Sequence, residues 1–222
     1  MTKRVEILLK TVYDRLFNQL GPQGWWPSDG PFETIVGAVL TQNTAWTNVD
    51  KAMANLRAAD ALTPAVIRAM PDDDLAALIR PSGYFNTKTK KLKAIVDHLA
   101  AYDDDVERWR LRDVKELRAE LLGVYGIGPE TADDIVLYVA DLPSFVIDTY
   151  TQRIIDRMGI APKRRRYEDY QALFEDNLPH EAPLFNEYHA LLDAHAKYIC
   201  RKRDPLCSAC VLVDLCRTGK RQ

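Results

Sequence analysis

The chain of 222 residues lacks any apolar run of the length a bilayer-spanning helix needs, and it lacks an excess of either charge. Lysine and arginine number 30 against 32 aspartates and glutamates, a formal net charge of −2. Neither a membrane span nor a secretory leader is readable, so a cytoplasmic setting is expected. A near-neutral total argues against a protein that holds nucleic acid by bulk charge, and leaves the distribution of charge to decide. Acidic residues gather at Asp72 to Asp74 and Asp103 to Asp105; basic ones gather at 88–93, 163–166, 197–203 and 217–221, a distribution that allows one basic face. Strictly alternating β-branched segments and hairpin dipeptides are also missing, so a sheet is not expected. Cysteine is absent from the first 199 residues, which leaves no disulfide framework for the body of the chain.

What is present is a hydrophobic content of 47%, enough to build a core and to exclude a disordered or fibrous chain, and much of it recurs at helical spacing. Val5, Leu8, Leu9, Val12, Leu16 and Leu20 form one amphipathic stripe, stopped by Gly21-Pro22. Phe32, Ile35, Val36, Val39 and Leu40 make a second; Val49, Met53 and Leu56 a third; Leu92, Ile95, Val96 and Leu99 another. Asp113 followed by Glu116 is a capping-box signature ahead of Leu117, Leu121 and Leu122. Proline and glycine fall between the stripes, predicting an all-α chain of about ten helices joined by short loops.

All four cysteines, Cys200, Cys207, Cys210 and Cys216, lie in one tail with the spacing C-x6-C-x2-C-x5-C. Two disulfides are the plain alternative, disfavoured by the missing leader and the ample core. Structural zinc usually takes two C-x2-C knuckles, whereas only Cys207 and Cys210 are so paired; four thiolates in one short run favour a [4Fe–4S] cluster over zinc.

Two further segments carry candidate chemistry. Leu122-Gly123-Val124-Tyr125-Gly126-Ile127-Gly128-Pro129 reads as a helix end, a glycine turn and a proline at the first position of the next helix. Such a turn is either a tight interhelical connection or, through backbone N–H groups beside a helix N-terminus, a phosphate site. Downstream, Val146-Ile147-Asp148-Thr149-Tyr150 places Asp148 as an N-cap, a role compatible with a carboxylate that stabilises an oxocarbenium-like sugar or activates water.

Together, the hairpin, the Val-Ile-Asp-Thr segment with Arg153, and His195-Ala196-Lys197 leading into the cysteine run resemble the helix-hairpin-helix DNA glycosylases of the endonuclease III superfamily. The resemblance spans about Phe32 to Cys216. It implies a two-domain fold: a six-helix barrel over 28–142 with the helix-hairpin-helix at about 117–140, and a cluster domain from 1–27 and 143–222 with the cysteine loop at 200–216. It also implies a target base flipped from double-stranded DNA into a cleft between the domains, Asp148 as the catalytic carboxylate, and a [4Fe–4S] cluster on the four cysteines. Where bifunctional members carry a lysine before the Thr-Ala of the hairpin, this chain has Glu130. A glutamate cannot form a Schiff base, and its plain alternative is favourable placement in the first turn of a helix.

Within the superfamily the chain is more similar to the 3-methyladenine glycosylases of endonuclease III type. The similarity lies in Trp25-Trp26-Pro27, in Gly37-Ala38-Val39-Leu40-Thr41-Gln42-Asn43-Thr44 followed by Trp46, in Arg80-Pro81-Ser82-Gly83, and in Glu130. It implies a base pocket of Trp25, Trp26, Pro27 and Trp46, with Glu130 and Lys197 nearby. An N3-alkylated purine is cationic, attracted to indole faces and already a good leaving group, so an aromatic pocket and one carboxylate suffice. Each tryptophan could equally be core packing. The resemblance puts Gln42 where a residue fills the gap left by the flipped nucleotide and Tyr84 where a loop probes the opposite strand; both could be ordinary surface residues. Gly126 and Gly128 are expected at phosphate, as are Arg201, Lys202 and Arg203, unless these form a solvated charge run. The expectation is a monomeric, nucleoid-associated, monofunctional base-excision enzyme. A glycosylase for oxidised pyrimidines with weak lyase activity, a DNA-binding homologue with little catalysis, and an electron-transfer protein built on the cluster are the alternatives.

Overall fold

The computed structural model describes residues 2–221. Among the described residues the chain is helical throughout, with no strand. In order the helices are α1 (Thr2–Leu20), α2 (Pro31–Leu40), α3 (Trp46–Ala58), α4 (Pro64–Ala69), α5 (Asp72–Leu78), α6 (Phe85–Ala100), α7 (Val114–Leu122), α8 (Pro129–Tyr138), α9 (Thr149–Met158), α10 (Tyr167–Glu175) and α11 (Ala182–Tyr198), with short 3-10 turns between some of them. No described helix is long and apolar enough to cross a membrane. The chain divides into two compact units, Trp26–Leu142 and Met1–Trp25 with Pro143–Gln222.

The first unit is α2 to α8 around one core. The stripes at Ile35, Val36, Val39 and Leu40, at Val49 and Leu56, and at Leu92, Ile95, Val96 and Leu99 are all buried there, as the 3.6-residue period requires. Helix α4 starts at Thr63, whose hydroxyl accepts the Val66 N–H, and α7 at Asp113, whose carboxylate accepts from Lys115 and Glu116 N–H. Only the forward half of the expected capping box is seen in these bonds; the Glu116 carboxylate pairs with Arg112 instead.

The basic cluster at 88–93 departs from the expected charged face. Lys88 is 2% exposed, and its ammonium donates to the carbonyls of Leu40 (2.8 Å) and Ser82 (2.7 Å), at the last residues of α2 and of the 3-10 turn Arg80–Ser82. Lys93 donates to the carbonyls of Arg68 and Met70 at the end of α4. Helix C-termini leave orphan carbonyls at the negative end of the dipole, and these lysines serve them rather than a polyanion.

The second unit packs α1 and α9 against α11. Leu9, Val12 and Leu16 bury one face of α1, and the hydroxyl of Tyr188, fully buried in α11, donates to the Leu9 carbonyl at 2.8 Å. Phe145 and Phe174 stack with ring centroids 3.9 Å apart, tying the segment before α9 to α10.

Candidate functional site

In the unit Trp26–Leu142, α7, the glycine turn and α8 form the expected hairpin. Arg118 on α7 grips the fully buried Asp133 of α8 by two bonds, 2.7 and 3.0 Å, a charged pair that fixes the angle between the two helices. Gly126 has φ +79°, and a Cβ there would overlap the Lys91 side chain, so both backbone conformation and packing demand glycine. Gly128 differs. Its φ is −93°, and apart from its own chain neighbours nothing lies within 4 Å of the place a Cβ would take, so nothing internal to the fold requires glycine at that N-cap. Glu130 is exposed in the first turn of α8.

Gln42 lies beside the hairpin, just past the end of α2. Its amide nitrogen donates to the Gly126 carbonyl (3.2 Å) and the Thr131 hydroxyl (2.9 Å), and its amide oxygen accepts from Lys91. It is therefore a structured element of the hairpin's support rather than an ordinary surface residue. Tyr84 is 72% exposed and holds the left-handed conformation at φ 47°, ψ 31° immediately before α6. Gln42, Asn43, Tyr84, Thr87, Lys88 and Lys91 border one depression.

Trp26 and Trp46 also belong to this unit and meet edge to face at 5.4 Å, with Tyr138 against Trp26 at 5.3 Å. A Cβ on Gly37 would stand 3.2 Å from the Trp26 indole nitrogen, so α2 accommodates that ring through its glycine. Pro27 is exposed. Tyr138 was not legible as a partner, because nothing in its own surroundings distinguishes it from core.

Trp25, Asp148 and Lys197 belong to the other unit. Asp148 is the N-cap of α9, its Oδ1 accepting the Thr151 N–H at 2.7 Å, and its side chain is 18% exposed. Facing it is His189 of α11, with Nε2 4.0 Å from Asp148 Oδ1. One turn on, Asp193 pairs with Lys197 at 2.6 Å, and the Lys197 ammonium lies 5.4 Å from the Trp25 ring centroid. Burial pushes the Asp193 carboxyl above its ordinary range, while Lys197 pulls it back; Asp148 adds to the rise and His189 opposes it. His189, Asp193 and Lys197 stand four residues apart on one helix, a spacing that marks a common face.

The four cysteines are free thiols, which removes the disulfide alternative. All four line one hollow of about 420 Å³, open solvent included, walled otherwise by residues such as Ile154, Met158, His195 and Leu212. Backbone N–H groups of Leu212 and Gly219 each point at a sulfur, of Cys210 and Cys216, at 3.4 Å, and Arg157 donates to Cys200 Sγ at 3.2 Å. Burial raises the Cys210 thiol above its usual range, and the three neighbouring thiols push the same way. Among the described residues, no group of three or more histidine, cysteine or carboxylate side chains stands ready to hold a metal ion.

Helix α9 connects this hollow to Asp148. Arg153 donates to the carbonyls of Cys200 and Ala196 at 3.0 Å each, and Arg157 to those of Cys200, Arg201 and Lys202. The Arg201 guanidinium closes its own loop on the Asp204 carbonyl, and Lys202 and Arg203 are exposed. Arg157 went unread in the sequence, although its four-residue separation from Arg153 was the available signal.

Comparison with known proteins assigns these features to a class of nucleic-acid repair protein. Residues 36–180 match the HhH-GPD superfamily of base excision DNA repair proteins. A protein of Methanocaldococcus jannaschii provisionally named a DNA repair glycosylase is 40% identical over 215 residues, 96% of this chain and 97% of that one. Among solved structures, a Helicobacter pylori 3-methyladenine DNA glycosylase bound to 1,N6-ethenoadenine superposes with a TM-score of 0.72 at 28% identity, covering 87% of this chain and 96% of that one. A trapped endonuclease III–DNA covalent intermediate gives 0.82 at 23% identity over 100% and 98%, a likeness of fold. The chain belongs to the HhH-GPD superfamily of base excision DNA repair proteins, and so to the DNA glycosylases.

Proposed function

We propose that the protein is a monofunctional glycosylase that hydrolyses the N-glycosidic bond of alkylated purines, above all N3-alkylated ones, in double-stranded DNA. The observation that carries the reading is the pairing of Asp148, fixed at the start of α9, with a glutamate in place of the hairpin lysine. A carboxylate in that position acts on the sugar: it stabilises positive charge at C1′ as the bond to the base breaks, and takes the proton of the water whose oxygen bonds to C1′. The base leaves with the electron pair. When it is an N3-alkylated purine that pair discharges its cation, so no proton donor is needed. Glu130 offers no amine for a covalent adduct, and strand cleavage by β-elimination is not expected.

The remaining candidates divide into two tasks. Trp25, Trp26, Pro27 and Trp46, with Lys197, supply aromatic and polar surface for the extrahelical base. The hairpin turn at Gly126 and Gly128 receives a phosphate on backbone N–H groups, which gives the bare Cα of Gly128 its purpose. Gln42 and Tyr84 enter the duplex at the lesion, and Arg201, Lys202 and Arg203 hold backbone phosphate. The unit Trp26–Leu142 serves as the barrel domain and the other as the cluster domain of a monomer working on the nucleoid.

The four cysteines fit a [4Fe–4S] cluster. Four half-buried cysteines line one hollow, and backbone N–H groups aimed at the sulfurs of Cys210 and Cys216 suit the negative charge that thiolate ligands of such a cluster carry. When bound, the cluster supplies cross-linking of the cysteine loop. This chain's own residues carry that rigidity onward, since Arg153 and Arg157 tie the loop to the helix that Asp148 begins.

The test is base release from methylated duplex and from duplex bearing oxidised pyrimidines, by wild type and by Asp148→Asn, with strand breaks read before and after alkali. Release of alkylpurine that is lost in the variant, with breaks only after alkali, supports the reading. Oxidised pyrimidine release or nicking without alkali would establish the endonuclease III activity instead, the reading that a 30% identical Sulfolobus acidocaldarius relative named endonuclease III keeps in view. Tight DNA binding without release from either duplex would leave a non-catalytic homologue.

A further inference from the structure

The strip along α11 contains more charge than the reaction outlined above uses. His189, Asp193 and Lys197 follow one another at four-residue intervals, so the strip extends about 12 Å along the helix axis. One end meets Asp148 through His189 at 4.0 Å; the other places the Lys197 ammonium 5.4 Å from the centre of the Trp25 ring. Between them lies Asp193, 16% exposed, joined to Lys197 at 2.6 Å. All of these groups belong to one compact unit.

An ammonium over an indole has a consequence for a cationic base. It occupies the electron-rich face that would attract that base, and its charge repels the same ligand. A half-buried carboxylate beside it cancels that charge locally. With Asp193 present, the strip's Asp193–Lys197 pair is neutral, and Asp148 is left facing His189 at the other end of the strip. Without Asp193, Lys197 confronts the base directly.

We infer that Asp193 is a specificity-determining residue: as counter-ion to Lys197 it keeps the Trp25 face compatible with a positively charged base. The inference rests on the alkylpurine reading of the same site. Asp193 touches Lys197 rather than the reacting atoms, so it is a positioning residue. Its burial beside a second carboxylate, which raises its own proton affinity, is the sign that the fold maintains an acid there against cost.

The experiment measures single-turnover release of 3-methyladenine from methylated duplex by wild type, D193N, D193E and the double variant D193N/K197M. In parallel, affinity is measured for a duplex carrying a tetrahydrofuran abasic analogue, which has no base and no positive charge at the site. One charge at this range, partly screened, predicts a loss of roughly tenfold to a hundredfold in D193N. Affinity for the abasic analogue is expected to stay within about threefold. D193E retains most of the wild-type rate, and adding K197M to D193N recovers at least about tenfold relative to D193N by removing the unpaired cation. Release by D193N at the wild-type rate overturns the inference. So does a loss matched by weakened binding of the abasic duplex, or one that K197M deepens, since either would mean that Asp193 merely supports the fold. Failure of wild type to release 3-methyladenine is read before any variant and overturns the alkylpurine reading and this inference together.

Discussion

Replacing Lys88 by methionine tests the buried lysine that joins the ends of two segments. Its ammonium bridges the Leu40 and Ser82 carbonyls, each two residues ahead of a proposed DNA contact, Gln42 and Tyr84. Burial lowers its pKa from 10.5 to about 8, with the neighbouring charge of Lys91 adding to the fall. The folded value lies below the unfolded one, so below pH 8 both states are protonated and the cost of burying the charge is fully present. Between about 8 and 10.5 the unfolded chain binds more protons than the folded one, and stability rises with pH. The span corresponds to at most about 3 kcal/mol, the two carbonyl acceptors offsetting part of it. A neutral amine still has two N–H donors for its two acceptors, so both bonds survive deprotonation. Urea unfolding of wild type and Lys88→Met from pH 7 to 10.5 isolates the contribution, because other groups titrate alike in both. Wild type should gain roughly 1 to 3 kcal/mol on the variant across that range. Parallel stability curves, or a wild-type advantage that shrinks as pH rises, would refute the argument.

Asp148→Asn should leave stability within about 0.5 kcal/mol, since asparagine is as good an N-cap, while base release falls by more than about a hundredfold; thermal melts and release assays separate the two. Gly126→Ala must overcome both a positive φ and the Lys91 side chain, and should cost about 2 kcal/mol or more in urea unfolding. Gly128→Ala should leave stability nearly unchanged and weaken binding to duplex DNA, and equal affinity for wild type and variant would remove the phosphate role of that turn. On the cluster reading purified protein carries visible absorbance, iron and sulfide, and Cys207→Ser should abolish all three; retention of all three would place the ligands elsewhere, and their absence from wild type would remove the cluster.

The periodic part of the fold was legible because helical stripes state their own burial: Ile35, Val39, Leu92 and Leu99 are core where the spacing put them. Asp148 was legible as a cap for the same local reason, its oxygen needing only the N–H three residues on. What sequence could not convey was the partner chosen by a long side chain. Lys88 and Lys93 read as surface charge and turned out to serve the carbonyl ends of helices distant in sequence. Arg164 and Arg166 both engage Asp169, so that basic run is largely compensated as well.

The same limit applied at the candidate site. Gln42 was placed by resemblance, but its bonds to Gly126 and Thr131 depend on where α2 ends relative to the hairpin, which no local pattern encodes. His189 and Asp193 lie within a helix that already explains itself by packing, so neither drew attention until Asp148 and Trp25 were found at the two ends of their strip. A charge within a buried face costs free energy unless something answers it. On α11 the answer to Asp193 is Lys197, one turn on at 2.6 Å, a lysine that itself needs neutralising near the aromatic surface proposed for a cation.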